Sequence, residues 1–176
     1  MRRNWNWIGP LLAIGGRIPE ELNCRWELLG EGISRVIDLR DLRAETQPEW
    51  LPGVELLHLP TPDHQPISQS MIWQGVQWTR KAWEANLRVL IHCEHGIGRC
   101  ALLAACVLVS EGASPTEAIR ELKQVRSCIA PSPVQLHALL AWAASWNQSQ
   151  GKPPSTDTWA ALSRIAYLGI TSVNRP

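Results

Sequence analysis

The chain contains no phenylalanine and a single tyrosine among its 176 residues, against ten tryptophans. Any aromatic core must therefore be built from tryptophan, with the remainder at the surface. There is no uninterrupted run of 18 apolar residues, which excludes a predicted membrane-spanning helix. The N-terminal stretch MRRNWNWIGPLLAIGG has two arginines, but its apolar segment is short and broken at Gly9-Pro10, a poor signal peptide. A cytoplasmic protein is the expectation. Charged residues make up 19% of the chain and the formal net charge is +1, with no block of like sign. Wrapping of nucleic acid or attachment to an anionic membrane surface is not expected. Five cysteines at positions 24, 93, 100, 106 and 128 form an odd set without framework spacing, which argues against a disulfide scaffold. Cys24, Cys106 and Cys128 read as small buried hydrophobes. No internal repeat and no long low-complexity tract is present.

The length suits one domain with a substantial core. The segment WIGPLLAIGG reads as a short strand or extended entry, and IPEELNCRWELLGEG as a helix stopped by glycine. SRVIDL, VELLHLP and RVLIHC are strand-like runs. A polar connection, RDLRAETQPEWLPG, joins the first two of these. Helices are predicted for SQSMIWQGVQWTRKAWEAN, opening on a serine cap, and for CALLAACVLVSEG, ending at Gly112. SPTEAIRELKQVR carries the Ser114–Glu117 spacing of a capping box, and SPVQLHALLAWAASWNQ follows as another helix. Strands alternating with helices predict an α/β fold. Its centre is a twisted, largely parallel sheet of about four to five strands flanked by helices. The catalytic domain is assigned to residues 1–150, and 151–176 to a linker with a short helical C-terminal tail.

Residues 89–109, VLIHCEHGIGRCALLAACVLV, concentrate the chemistry. A strand ends at His92-Cys93, and a helix begins near Arg99. Helix N-termini carry unsatisfied N–H groups and partial positive charge, and so attract anions. Gly96 and Gly98 let the backbone curl around a ligand. Arg99 supplies a planar fork matched to two phosphate oxygens. Cys93 at the strand end is then expected as a thiolate, because such settings lower a cysteine pKa to roughly 3.5–7.5. A thiolate beneath a held phosphate can attack phosphorus and form a phosphocysteine. A metal site made of His92, Cys93, His95 and Cys100 is not favoured: adjacent residues diverge on a strand, and no second ligand pair has the usual spacing. No cofactor is expected.

His92-Cys93, five residues and then Arg99, with glycines at 96 and 98, resembles the signature of the protein tyrosine phosphatases. VIDLRD, LPTPDHQP and SPVQ extend the likeness to the small atypical dual-specificity phosphatases, from about residue 5 to residue 146. The resemblance implies a protein tyrosine phosphatase-like fold with Cys93 as nucleophile, and Asp63, in the loop before the long helix, as general acid. Leaving-group protonation independently demands such a carboxylate beside the pocket. Asp41 is the rival, assigned instead to a structural turn with Arg40 or Arg43. Glu94, His95, Gly96, Ile97, Gly98, Arg99 and Cys100 form the substrate-binding loop, Glu94 and His95 at its rim. His92 supports the loop backbone through a hydrogen bond. His58, His64 and His137 receive no role.

The family usually has serine or threonine where this chain has Cys100. A thiol is the weaker donor, so release of the cysteine could slow, or Cys100 could form a reversible disulfide with Cys93. Loop residues 94–98 contain no lysine or arginine, which tilts against a polyphosphorylated substrate. The implied substrates are phosphotyrosine, with phosphoserine and phosphothreonine next, in a phosphoprotein or small phosphate ester. The alternatives are a catalytically weak phosphate-binding module, or a sulfurtransferase or arsenate reductase using a similar cysteine loop.

Overall fold

The computed structural model describes residues 3–18, 22–41 and 52–169, with backbone alone for 22–25. Five strands form one sheet: β1 (Trp5–Trp7), β2 (Leu12–Gly15), β3 (Ile33–Asp38), β4 (Glu55–His58) and β5 (Arg88–His92). Their order is β1-β2-β5-β3-β4, antiparallel only between β1 and β2. The helices are α1 (Leu22–Gly30), α2 (Gln69–Glu84), α3 (Arg99–Ser110), α4 (Pro115–Val125), α5 (Pro133–Ser149) and α6 (Trp159–Ala166). The predicted α/β architecture is the one observed. No helix among the described residues is long and apolar enough to cross a membrane.

The sheet divides the core by strand periodicity. Val89 and Ile91 of β5 face the large cluster beneath α2, α3, α4 and α5, whereas Leu90 faces a smaller cluster with Leu28 of α1. A strand buried on both faces must be almost wholly apolar, and RVLIH nearly is. Helix α3 occupies the centre of the larger layer, with every residue except Leu108 buried. Ser68 caps α2 by accepting from the Met71 N–H, and Ser114 and Glu117 close the expected capping box on α4.

Tryptophan does supply the aromatic core. Trp5, Trp142 and Trp146 are buried, and Trp73 lies 5.9 and 5.1 Å from the latter two rings, while Trp26 is 70% exposed. Two expectations need correction. The WIGPLLAIGG segment is the turn and second strand of a hairpin, because Gly9 at φ +111° reverses the chain before β2. Cys128 is exposed rather than buried, since it occupies the turn between α4 and α5. Cys106 is buried on α3, whereas the reading of Cys24 and the loop containing Arg43 lie outside the described side chains and residues.

Within the 151–176 segment, α6 adds Leu162 and Ala166, both fully buried, to the same large cluster. The Lys123 ammonium donates to the Ala166 carbonyl at 2.8 Å, and the Asp157 carboxylate accepts from the Thr116 N–H at 2.7 Å. Removing the Leu162 side chain should therefore act as a core deletion. Leu162→Ala is expected to cost about 2–5 kcal/mol, read as a lower denaturant midpoint at unchanged slope. A shift near zero would mean that this helix is not part of the cooperative unit.

Candidate active site

Parallel strands β2, β5 and β3 end together, with Gly15, His92 and Asp38 in register. The chain that follows β5 therefore emerges at the carboxyl edge of the sheet, where open α/β sheets bind ligands. Residues 93–98 form a loop there, and Gly98 stands at the N-cap of α3. The loop carbonyls are tied outside the pocket. Glu94 O accepts from Arg17 N–H at 2.8 Å, Ile97 O from Ala130 N–H at 3.1 Å, and Gly96 O from Arg126 Nε at 2.8 Å. Gly96 N–H points inward, 3.3 Å from Cys93 Sγ.

Glycine is obligatory at position 96. Its φ is +70°, and a Cβ would stand 2.5 Å from both the Gly16 nitrogen and an Arg126 guanidinium nitrogen. Arg126 was not singled out from the sequence, yet it clamps the cradle. Besides Gly96 O, it donates to Asn6 Oδ1 and Asn4 Oδ1, both at 2.9 Å, joining the loop to the β1–β2 hairpin. Gln135 is the second unforeseen member: its Nε2 donates to Gln65 O at 2.9 Å, and its Oε1 would block a Cβ at Gly98. No local motif marks Arg126, which acts across long sequence separations. Gln135 does carry a local signal: Ser132 and Gln135 have the spacing of a capping box, and Gln135 Oε1 accepts from the Ser132 N–H at 2.8 Å.

Cys93 is buried at the floor of a cavity of about 60 Å³, lined also by Asp63, His95, Ile97, Gly98 and Gln135. Its pKa is held well below that of an ordinary thiol. The hydrogen bond from the neighbouring Cys100 thiol contributes most, followed by the Cys100 N–H, the Arg99 charge and the Gly96 N–H, against the opposing effect of burial. Cys100, wholly buried beside that sulfur, is pushed up correspondingly. The Cys100 thiol thus stands beside the Cys93 sulfur.

Arg99 is buried and divided in its commitments. Its NH1 donates to Thr61 O at 2.7 Å and to Leu39 O at 3.4 Å, which fixes the guanidinium. NH2 contacts Asp63 Oδ1 at 2.9 Å, and buried Nε has no hydrogen-bond partner. The structure thus brings Cys93, Arg99 and Asp63 together. Asp63 lies on a loop stapled to the start of α5, where Ser132 Oγ donates to His64 O at 2.7 Å. His64 adopts φ +60°, a rare conformation for a non-glycine residue. Asp41 is exposed and does not line the cavity, and Arg40 forks onto Asp38 at 2.7–3.1 Å.

Of the rim groups, His95 Nε2 lies 3.4 Å from Asp63 Oδ2 and lines the cavity, whereas Glu94 turns toward Arg17 at 4.0 Å. The expected hydrogen bond from His92 to the loop backbone is not formed. Neither ring nitrogen has a partner at hydrogen-bond geometry, and Nε2 stands 3.7 Å from Asp38 Oδ1. Burial lowers the His92 pKa against the pull of Asp38, so the ring packs as a neutral support under the loop. His58 Nε2 meets the Arg40 carbonyl at 2.9 Å, and His137 stacks on Trp159. No group of three or more potential metal ligands is clustered among the described residues.

Comparison with known proteins bears on this arrangement. The family described as PTP-SAK, Swiss Army Knife protein, DSP-PTPase phosphatase domain, matches residues 2–145. Mouse phosphatidylglycerophosphatase and protein-tyrosine phosphatase 1 is 31% identical over 145 residues, 78% of this chain and 75% of that protein. Rat cyclin-dependent kinase inhibitor 3 is 36% identical over 76 residues, 42% of this chain and 36% of its own length. The crystal structure of PTPMT1 in complex with PI(5)P superposes with a TM-score of 0.76 at 27% identity, covering 84% of this chain and 99% of that one. A mouse putative dual specificity phosphatase complexed with zinc tungstate gives 0.77 at 18% identity, over 88% and 96% of the two chains, a likeness of fold alone. The match spans the sheet, the cysteine loop and α5 together, and the chain belongs to the DSP-PTPase family of cysteine-based phosphatases.

Proposed function

We propose that this phosphatase hydrolyses phosphate monoesters through a phosphocysteine on Cys93, with Asp63 protonating the leaving group and then activating water. The observation that carries the reading is the free edge of Arg99. A buried guanidinium nitrogen without a partner is costly unless a ligand completes it, and Nε is such an atom beside an NH2 held by a carboxylate. Together Nε and NH2 form the fork that fits two phosphate oxygens. With the phosphate so held, phosphorus lies above the Cys93 sulfur. The Sγ–P bond forms as the ester P–O bond breaks, and the Asp63 proton goes to the departing oxygen. Water then attacks phosphorus, gives its proton to Asp63 and releases the sulfur. Membership of the phosphatase family decides against the sulfurtransferase and arsenate reductase alternatives.

The substrate proposed first is phosphotyrosine in proteins, with phosphoserine and phosphothreonine next. A lipid bearing a single phosphate monoester is the second reading, favoured by similarity to a phosphatidylglycerophosphatase. Comparison of kcat/KM for a phosphotyrosine peptide and for phosphatidylglycerophosphate in mixed micelles separates the two. A higher value for the lipid would overturn the protein-substrate reading.

Cys93→Ser and Arg99→Lys should each abolish most turnover of an aryl phosphate, the latter because a point charge cannot make the bidentate contact. Asp63→Asn should lose about 10²–10⁴-fold with alkyl phosphates and much less with activated aryl phosphates. Wild-type rates in Cys93→Ser would refute the phosphocysteine route. Leaving-group-independent rates in Asp63→Asn would remove Asp63 as the acid.

The depressed Cys93 pKa has a direct readout. A group held below its ordinary value keeps its thiolate down to the lower pKa, so inactivation by iodoacetamide should hold its plateau to lower pH than that of an ordinary thiol before it falls. An ordinary thiol loses about tenfold per pH unit below about 8.5. Cys100→Ala removes the largest stabilising hydrogen bond and should move the midpoint upward. An unmoved midpoint would assign the thiolate to Arg99 and the loop amides instead.

A further inference from the structure

Asp63 occupies the seat that a phosphate would take on Arg99. Its Oδ1 contacts NH2 at 2.9 Å, and NH1 is committed to Thr61 and Leu39 carbonyls. A phosphate that takes Nε and NH2 therefore competes with the Asp63 carboxyl for NH2, on the one arginine or lysine that touches Asp63 among the described residues. Asp63 is 43% exposed, so without Arg99 its side chain could rotate into solvent. Two contacts survive the exchange. The His64 N–H donates to Oδ1 at 3.0 Å, and His95 Nε2 stands 3.4 Å from Oδ2. The His64 ring is farther, at 3.8 Å from Oδ2.

His95 differs from the other neighbours in its attachment. It belongs to the cradle itself, one residue before Gly96, so its ring is carried by the backbone that holds the phosphate. Resting on the reading of Asp63 as general acid, we propose that His95 is the positioning residue for that acid. Once phosphate has taken Arg99, the His95 Nε2–H donates to Asp63 Oδ2 and keeps Oδ1 aimed at the scissile ester oxygen. The two carboxyl oxygens then have separate duties. Displaced from Arg99, Asp63 takes up a proton from solvent at Oδ1. That proton passes to the leaving oxygen as the ester P–O bond breaks and the Sγ–P bond forms. Oδ1 takes a proton from the attacking water as the Sγ–P bond breaks, and it returns that proton to solvent when Asp63 pairs with Arg99 again. Oδ2 accepts from His95 throughout, and the imidazole neither gains nor loses a proton.

The test is a series of phosphate esters whose leaving groups run from activated phenols to alcohols, measured with wild type, Asp63→Asn, His95→Ala, His95→Gln and the double variant. His95→Ala should lose about tenfold with alkyl phosphates, the worth of one oriented hydrogen bond, and stay within about twofold with activated aryl phosphates, which need little protonation. His95→Gln, which keeps a donor, should recover most of the alkyl rate. On the Asp63→Asn background, His95→Ala should add no further loss. Inhibition by inorganic phosphate should be the same in His95→Ala and wild type, because the cradle is intact. Equal loss across all leaving groups, no rescue by Gln, or full additivity with Asp63→Asn would each overturn the proposal. If Asp63→Asn itself shows no leaving-group dependence, the assignment of the acid falls and this inference with it. If Asp63→Asn shows the dependence and His95→Ala does not, only the role of His95 is lost.

Discussion

Between β5 and α3 the chain has only residues 93–98 in which to turn from strand to helix, and that turn must leave its amides facing inward over Cys93. A short loop can do this only if its carbonyls find donors elsewhere. Buried backbone groups left unpaired would cost more than the curvature gains. Arg17, Arg126 and Ala130 supply those donors from separate elements. The positive φ of Gly96 and its near contact with Gly16 follow from the same requirement. Most of what surrounds the loop reads as scaffolding for that one backbone conformation.

The scaffolding explains why the hairpin and the helices lie where they do. Arg126, just after α4, reaches Asn4 and Asn6 at the far end of the sequence. Gln135 and Ser132, at the start of α5, hold the loop that bears Asp63. The two halves of the site, the Cys93 loop and the Asp63 loop, are therefore indexed to each other through α5 and the Arg99–Thr61 bond. A buried α3 gives this arrangement a rigid floor, since a helix packed on nearly every side cannot shift without opening the core.

Charge in the site is arranged in close pairs. Arg99 holds the Asp63 carboxyl group, and its buried Nε has no partner. Cys93 leans on the Cys100 thiol more than on the arginine for its ionisation. A thiol hydrogen bond is longer and weaker than a hydroxyl one, so the contribution of Cys100 depends on its closeness to the Cys93 sulfur and works against burial. His92, by contrast, contributes bulk beneath the loop. A fully buried imidazole is cheapest when neutral, and burial outweighs the attraction of Asp38.

The sequence by itself determined the parts that depend on local chemistry. Alternating helices and apolar strands announced the parallel sheet, the serines at 68 and 114 marked helix starts, and His92-Cys93 with Gly96, Gly98 and Arg99 marked the anion loop. The choice of Asp63 rests on its proline-flanked loop together with the family resemblance. Tertiary structure decided what no short window holds. It split the N-terminal strand into a hairpin, left Cys128 in an exposed turn, and buried Leu162 of the last helix in the common core. It also recruited Arg126 and Gln135 and set His95 against Asp63. Those outcomes rest on contacts between residues far apart in the chain, where direction and distance are fixed by packing and by the pairing of buried polar groups. Apart from the Ser132–Gln135 spacing that opens α5, the sequence carries no record of them.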